Sequence, residues 1–152
     1  QGLCLLEGTN LSEGRGTETP FMLVGAPWLD NQKLYEKLVT IKNPMDNFEL
    51  IEFIPKSIPA AKYPKYEGKK CFGLRINNLV IPIDWTIQLL AIINSHHPEQ
   101  FRFLESNFID KLYGSDEFRI SIEKGKDFNQ IIEQFSIDEE EFLSKRKNYL
   151  IY

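Results

Sequence analysis

The chain has 152 residues and a mass of 17.8 kDa, with 42% hydrophobic, 12% aromatic and 26% charged residues. That length is enough for one domain with a real core, and the near-average composition excludes a disordered chain, a collagen-like repeat and a disulfide scaffold. A net charge of -4 and a pI near 5.3 argue against a general nucleic-acid binder, and no apolar run reaches the roughly 18 to 20 residues of a membrane-spanning helix.

Gln1 leads at once into the apolar run Leu3-Cys4-Leu5-Leu6, which reads as a buried strand from Leu3 to Glu7. A start inside a buried element, with no signal or lipidation motif ahead of it, suggests a piece of a longer protein. A polar, glycine-rich loop runs from Gly8 to Pro20, and an apolar segment follows from Phe21 to Trp28. Leu34, Leu38 and Ile41 recur at helical spacing and predict a helix from about Asn31 to Lys42, with Asp30 as its N-cap.

Phe48 to Ile54 reads as a strand ended by Pro55. The segment from Pro55 to Gly68 holds three prolines and no periodicity, so it is a long surface loop of the kind that tends to carry function. Lys70 to Asn77 reads as another strand. Pro82 suits the first turn of a helix reaching Ser95, with Ile83, Ile87, Leu90 and Asn94 on one face. Short helices follow at Phe108 to Tyr113, closing at Gly114, and at Glu117 to Lys124. Ser136-Ile137-Asp138-Glu139 reads as the capping box of a last helix that ends near Arg146 and Lys147, ahead of an apolar tail from Tyr149 to Tyr152. Strands and helices mix without a βαβ rhythm, which predicts an α+β fold with a small mixed sheet and four to five helices.

The densest chemistry lies in Glu7-Gly8-Thr9-Asn10-Leu11-Ser12-Glu13-Gly14-Arg15-Gly16-Thr17. A buried strand delivers a carboxylate at its C-terminal end, three glycines permit tight turns and close approach, and Thr9, Asn10, Ser12, Arg15 and Thr17 offer polar side chains. An ordinary surface loop built from turn residues accounts for the same composition. No phosphate-loop pattern is present, and Gly14-Arg15-Gly16 lacks the third glycine and following helix of a dinucleotide fingerprint. His96-His97 before Pro98 reads as a helix terminus, and the acids from Asp138 to Glu141 as a solvated helix start. Cys4 and Cys71 read as small buried hydrophobes, with no second Cys or His at zinc-ligand spacing. Most phenylalanines belong to the core, whereas Trp28, Tyr63 and Tyr66 are candidates for an aromatic platform under a sugar ring; an edge-of-core role for Trp28 is the alternative.

The segment from Cys4 to Thr17, with Pro20-Phe21 and Gly25-Ala26-Pro27-Trp28, closely resembles the hallmark of the NamZ-type exo-β-N-acetylmuramidases. Tyr66-x-Gly68-x-x-Cys71-x-Gly73, Ile109-Asp110-x-Leu112-x-Gly114-Ser115 with Arg119 beyond, and Phe142-x-x-x-Arg146-x-x-Tyr149-Leu150-Ile151-Tyr152 follow in the same order. The resemblance implies the C-terminal domain, over residues 1–152, of a two-domain glycosidase that removes N-acetylmuramic acid from the non-reducing ends of peptidoglycan glycans. It implies that a Rossmann-like N-terminal domain is this domain's partner and that the opening strand marks the junction. It further implies Glu7 in the cleft as the catalytic residue of this chain or as a hydrogen-bond partner of a sugar hydroxyl, Arg15 against the lactyl carboxylate, Thr9, Asn10, Ser12, Thr17 and Trp28 in substrate binding, no metal or organic cofactor, and a periplasmic or secreted protein. A non-catalytic carbohydrate-binding module and a purely structural domain are the competing readings.

Overall fold

The computed structural model describes residues 2–41, 47–77 and 80–150, with the side chains of Gln134, Phe135, Ser136 and Asp138 left undescribed. Its elements are a 3-10 helix (Gly2–Gly8), β1 (Leu23–Ala26), α1 (Asn31–Val39), β2 (Phe48–Phe53), β3 (Cys71–Ile76), α2 (Ile83–His96), α3 (Phe108–Tyr113), α4 (Glu117–Glu123), α5 (Phe128–Arg146) and a closing 3-10 turn (Lys147–Tyr149). The α+β class holds. The three strands lie in the order β1-β3-β2, and both pairings are antiparallel.

The opening run is a 3-10 helix, not the strand expected from Leu3 to Glu7. In a 3-10 helix, residues three apart share a side. Cys4 and Glu7 take the outward side, while Gly2, Leu3, Leu5, Leu6 and Gly8 are buried. Seven residues is long for this geometry, and burial of three leucines, worth roughly 1.5–3 kcal/mol each, stabilises it. Cys4 is therefore exposed, contrary to its expected burial, and Cys71 alone is the small buried hydrophobe. Gly8 is where α3 comes closest: a Cβ there would lie 2.7 Å from the Ile109 Cα, so the two backbones touch.

Strand register sorts the sheet into two faces. Val24, Ala26, Leu74 and Ile76 join the main core with the leucines of the 3-10 helix and Trp85, Ile87, Leu89, Leu90 and Ile93 of α2. On the opposite face Leu23, Phe53 and Cys71 form a smaller cluster with Ile51 and Tyr66. α1 starts where expected, because the Asp30 carboxylate accepts the Lys33 backbone N–H at 3.1 Å. It ends at Val39 with Thr40 as C-cap, and the expected terminus at Lys42 lies outside the described residues. Pro82 is the N-cap of α2 rather than its first residue, and His97 closes that helix.

α5 begins nine residues before the expected capping box. Asp127 accepts the Gln130 N–H at 3.0 Å, and the Gln130 side chain accepts the Asp127 N–H at 3.1 Å. Ser136 and Asp138 are thus interior helix positions. Asp110 and Arg119 are joined by a two-pronged ion pair, Nε to Oδ1 and Nη2 to Oδ2 at 2.9 Å each, which locks α3 to α4. Tyr149 is exposed, and Ile151 and Tyr152 of the expected apolar tail lie outside the described residues. No described helix is long and apolar enough to cross a membrane.

Candidate functional site

The 3-10 helix presents Glu7 at its C-terminal end, next to a loop whose path is fixed by backbone pairing on both sides. The Asn10 N–H donates to Arg102 O at 2.9 Å, and the Leu104 N–H donates to Gly8 O at 2.9 Å. Ser12 and Gly25 exchange two hydrogen bonds, which attach the loop to β1. Gly14 and Gly16 both sit at φ of 80°, a region open to glycine. A Cβ on Gly16 would lie 2.5 Å from Lys56 O, so the loop is also pressed against the segment after β2.

Four charged side chains converge on this loop. Arg15 Nη2 meets Glu7 Oε1 at 2.5 Å, and Arg15 Nε lies 3.6 Å from Glu13 Oε1. Lys65 Nζ donates to Glu13 Oε2 at 2.9 Å and to the carbonyls of Leu6 and Leu11 at 2.8 and 2.9 Å. The Arg15 guanidinium also lies over the Phe21 ring, 5.1 Å from its centroid, and Phe21 adopts a φ of 60° to place it there. Burial lowers the Lys65 ammonium below the usual lysine range, with Glu13 opposing the shift. Exposure ranks the acids: the Glu13 side chain is 5% exposed and paired from both sides, whereas Glu7 is 26% and Arg15 44% exposed. Glu7 is the carboxylate of this cluster that a ligand can reach.

The other predicted residues are placed differently. Thr9 and Ser12 are buried, the Thr9 hydroxyl donating to Leu6 O and accepting the Leu11 N–H, and Ser12 Oγ accepting the Gly14 N–H. Asn10 uses both ends of its amide on the 100–102 segment, with Nδ2 donating to Gln100 O and Oδ1 accepting the Arg102 N–H. The Thr17 hydroxyl donates to Gly14 O at 2.6 Å. These hydrogen bonds fix the shape of the loop that carries Glu7 and Arg15.

Trp28 is half-buried rather than presented. Its Nε1–H donates to the Tyr66 hydroxyl at 3.1 Å, and that hydroxyl donates to Asn10 O at 2.6 Å. The His97 ring stands edge-on to the indole with centroids 5.4 Å apart, and His97 Nε2 accepts the Asp30 N–H at 3.3 Å. Tyr63 is 92% exposed. Tyr66, expected as part of an aromatic platform, instead bridges Trp28 and Asn10, while Lys65 and Glu13 are the members of the site given no role from the sequence; the signal available for Lys65 was the Tyr63-Pro64-Lys65-Tyr66 stretch in a loop already marked as long and aperiodic.

Four grooves of about 260 to 550 Å³ mark the surface, and neither Glu7 nor Arg15 lines any of them. Thr17 lines one, of about 550 Å³, between the 16–19 segment and the outer side of β2. Glu7 and Arg15 remain partly exposed, at 26% and 44% of their side chains, outside these four grooves.

The antiparallel three-stranded sheet is backed by helices, and the acid-bearing glycine loop docks on its edge strand β1. The chain belongs to the NamZ C-terminal domain family: the profile described as "Exo-beta-N-acetylmuramidase NamZ, C-terminal" matches residues 1–152. It is 34% identical over 152 residues to the peptidoglycan beta-N-acetylmuramidase NamZ of Bacillus subtilis, covering 97% of this chain and 35% of that protein. A crystal structure of a DUF1343 family protein from Bacteroides fragilis matches with a TM-score of 0.65 and 33% identity, covering 99% of this chain and 38% of that one. A second DUF1343 protein from the same organism shares the fold at a TM-score of 0.76 and 18% identity, covering 99% and 40%. The chain thus spans little more than a third of the length of these relatives.

Proposed function

We propose that this domain forms one wall of the substrate cleft of a glycosidase that releases N-acetylmuramic acid from the non-reducing ends of peptidoglycan glycans, with Glu7 as its cleft-facing acid. The observation that carries this reading is the Glu7–Arg15 pair, in which Glu7 keeps 26% of its side chain exposed while the neighbouring Glu13 is buried and paired. Glycoside hydrolysis ordinarily uses two carboxyl groups, about 5–5.5 Å apart for retention or 6.5–9.5 Å for inversion. Glu13, the neighbouring acid, is buried and committed to Lys65 and Arg15. We place the second working carboxyl group in a Rossmann-like domain that precedes this one in the full-length protein.

In this reading Arg15 serves two acids. One edge of its guanidinium holds Glu7, and its exposed remainder meets the lactyl carboxylate that distinguishes muramic acid from glucosamine. Thr9, Asn10, Ser12 and Thr17 act by shaping the loop, and Trp28 flanks it. A peptidoglycan glycosidase works outside the cytoplasmic membrane, so the protein is assigned to the periplasm or to secretion. The glycan-binding module without hydrolysis has less support, because of the three aromatics expected to form a platform Trp28 and Tyr66 are tied to each other and to the loop, and only Tyr63 stands open.

The test is Arg15→Ala in the full-length protein, assayed on paired β-N-acetylmuramide and β-N-acetylglucosaminide substrates. The expected outcome is a loss of about tenfold or more in kcat/KM on the muramide, a scale set by one charge-assisted contact. Unchanged discrimination between the two sugars would remove Arg15 from lactyl recognition.

A further inference from the structure

Lys65 lies 52 to 59 residues away from every group it binds. Its ammonium has three N–H groups, and all three have acceptors within 2.9 Å: Leu6 O, Leu11 O and Glu13 Oε2. Leu6 immediately precedes Glu7, and its carbonyl also accepts the Thr9 N–H at 3.0 Å and the Thr9 hydroxyl at 2.9 Å, so Lys65 joins a cluster already built at the end of the 3-10 helix. Leu11 stands on the far side of the turn. One cation thus grips both flanks of the turn that presents Glu7, and it also anchors Glu13, whose second oxygen faces Arg15. Arg15 in turn holds Glu7.

We propose that Lys65 is a positioning residue for the Glu7–Arg15 pair: through the Leu6 and Leu11 carbonyls and through Glu13 it sets where the Glu7 carboxylate points. The inference rests on the reading of Glu7 as the cleft acid, and it goes further by assigning the orientation of that acid to a residue outside its loop. The chemistry calls for lysine. Two carbonyls and a carboxylate converge on one point, which suits a compact ammonium, whereas a guanidinium spreads its donors in one plane and is larger. Removing the cation would leave a buried carboxylate with only the 3.6 Å contact to Arg15.

The experiment compares Lys65→Arg and Lys65→Met with wild type in the full-length protein, with Asp127→Ala as a destabilised control whose cap lies on α5. Turnover of a chromogenic β-N-acetylmuramide, thermal midpoint and the carboxyl 13C titration of Glu7, assigned with Glu7→Gln, are the readouts. We expect kcat to fall roughly 10- to 100-fold in both Lys65 variants with KM within about threefold, the scale of a misplaced catalytic group. We also expect the Glu7 carboxyl 13C signal to move, while Asp127→Ala lowers the thermal midpoint and leaves both kcat and the Glu7 signal in place. A folded Lys65→Arg or Lys65→Met protein with wild-type kcat and an unmoved Glu7 signal overturns the proposal. Failure of both variants to fold overturns it as well, by assigning Lys65 to folding. Absence of turnover in wild type would instead sink the glycosidase reading, and the Glu7 titration would still decide the role of Lys65.

Discussion

Glu7 and Gly8 are adjacent and do opposite work. Glu7 occupies the outward side of the 3-10 helix, where Arg15 is its partner and solvent its other neighbour. Its replacement by Gln keeps shape and burial but removes the charge, so Glu7→Gln should leave the thermal midpoint nearly unchanged. In the full-length enzyme it should lower kcat by about 100-fold or more, as removal of an acid–base group does. Gly8 is the structural counterpart. Gly8→Ala drives a Cβ into the Ile109 backbone, and neither side can yield without moving the helix from α3. An overpacking cost of roughly 1–3 kcal/mol follows, readable as a shift in urea midpoint at constant slope. Both residues were visible in the sequence as chemistry-bearing, because a carboxylate followed by glycine in a polar loop is an unusual end for an apolar run. Lys65 was not, since nothing local ties a lysine in a proline-rich loop to carbonyls more than 50 residues away.

At the scale of elements, what was legible was local. Asp30 marks α1, Gly114 closes α3 at a φ of 99°, and alternation places β2 and β3 to within one residue at each end. The opening helix was not legible, because a run of four apolar residues carries no period that separates a buried strand from a buried helix. The start of α5 was missed for another reason. Ser136-Ile137-Asp138-Glu139 and Asp127-Phe128-Asn129-Gln130 both have capping-box spacing, and only packing of Ile131 into the core selects the second. Asp127→Ala should therefore cost about 1 kcal/mol, whereas Ser136→Ala, inside the helix, should be neutral or slightly stabilising by helix propensity.

The joint between α1 and α2 adds a pH dependence. Burial, aided by His96 and Lys33 and opposed by Asp30, holds the His97 imidazole below the usual histidine range. Its Nε2 accepts the Asp30 N–H, which requires the neutral ring. The unfolded chain then takes up a proton first as pH falls. His97 therefore contributes stability that is complete above about pH 6.5 and is lost below it. His97→Gln should flatten the fall in thermal midpoint between about pH 7 and pH 5. An equally steep fall in that variant would assign the effect to other groups.

On the proposed reading, the whole molecule is half of a site. Its core is complete, with the 3-10 helix, the inner sheet face and α2 packed into one cluster, and its charged loop is rigidly held. The Glu7–Arg15 pair is nevertheless partly exposed and lines none of the four grooves described above, and the second acid of the pair's own cluster is buried. A domain built this way should fold alone and bind glycan weakly, and it should be catalytically silent until another domain closes over Glu7. The α+β class was legible from the sequence because strand-like and helix-like segments were separable along the chain. The partly exposed placement of the acid was not, since it depends on how the loop docks on β1 and on the 100–104 segment.

The measurement that tests this account most directly is hydrolysis of a chromogenic β-N-acetylmuramide by three proteins: the 152-residue chain alone, the full-length protein, and the full-length protein with Glu7→Gln. The account predicts turnover by the full-length protein, none above background by the isolated chain, and a drop of about 100-fold or more with Glu7→Gln. Turnover by the isolated chain would place both working carboxyl groups within it, and wild-type turnover by the Glu7→Gln protein would remove Glu7 from the chemistry; either result contradicts the account.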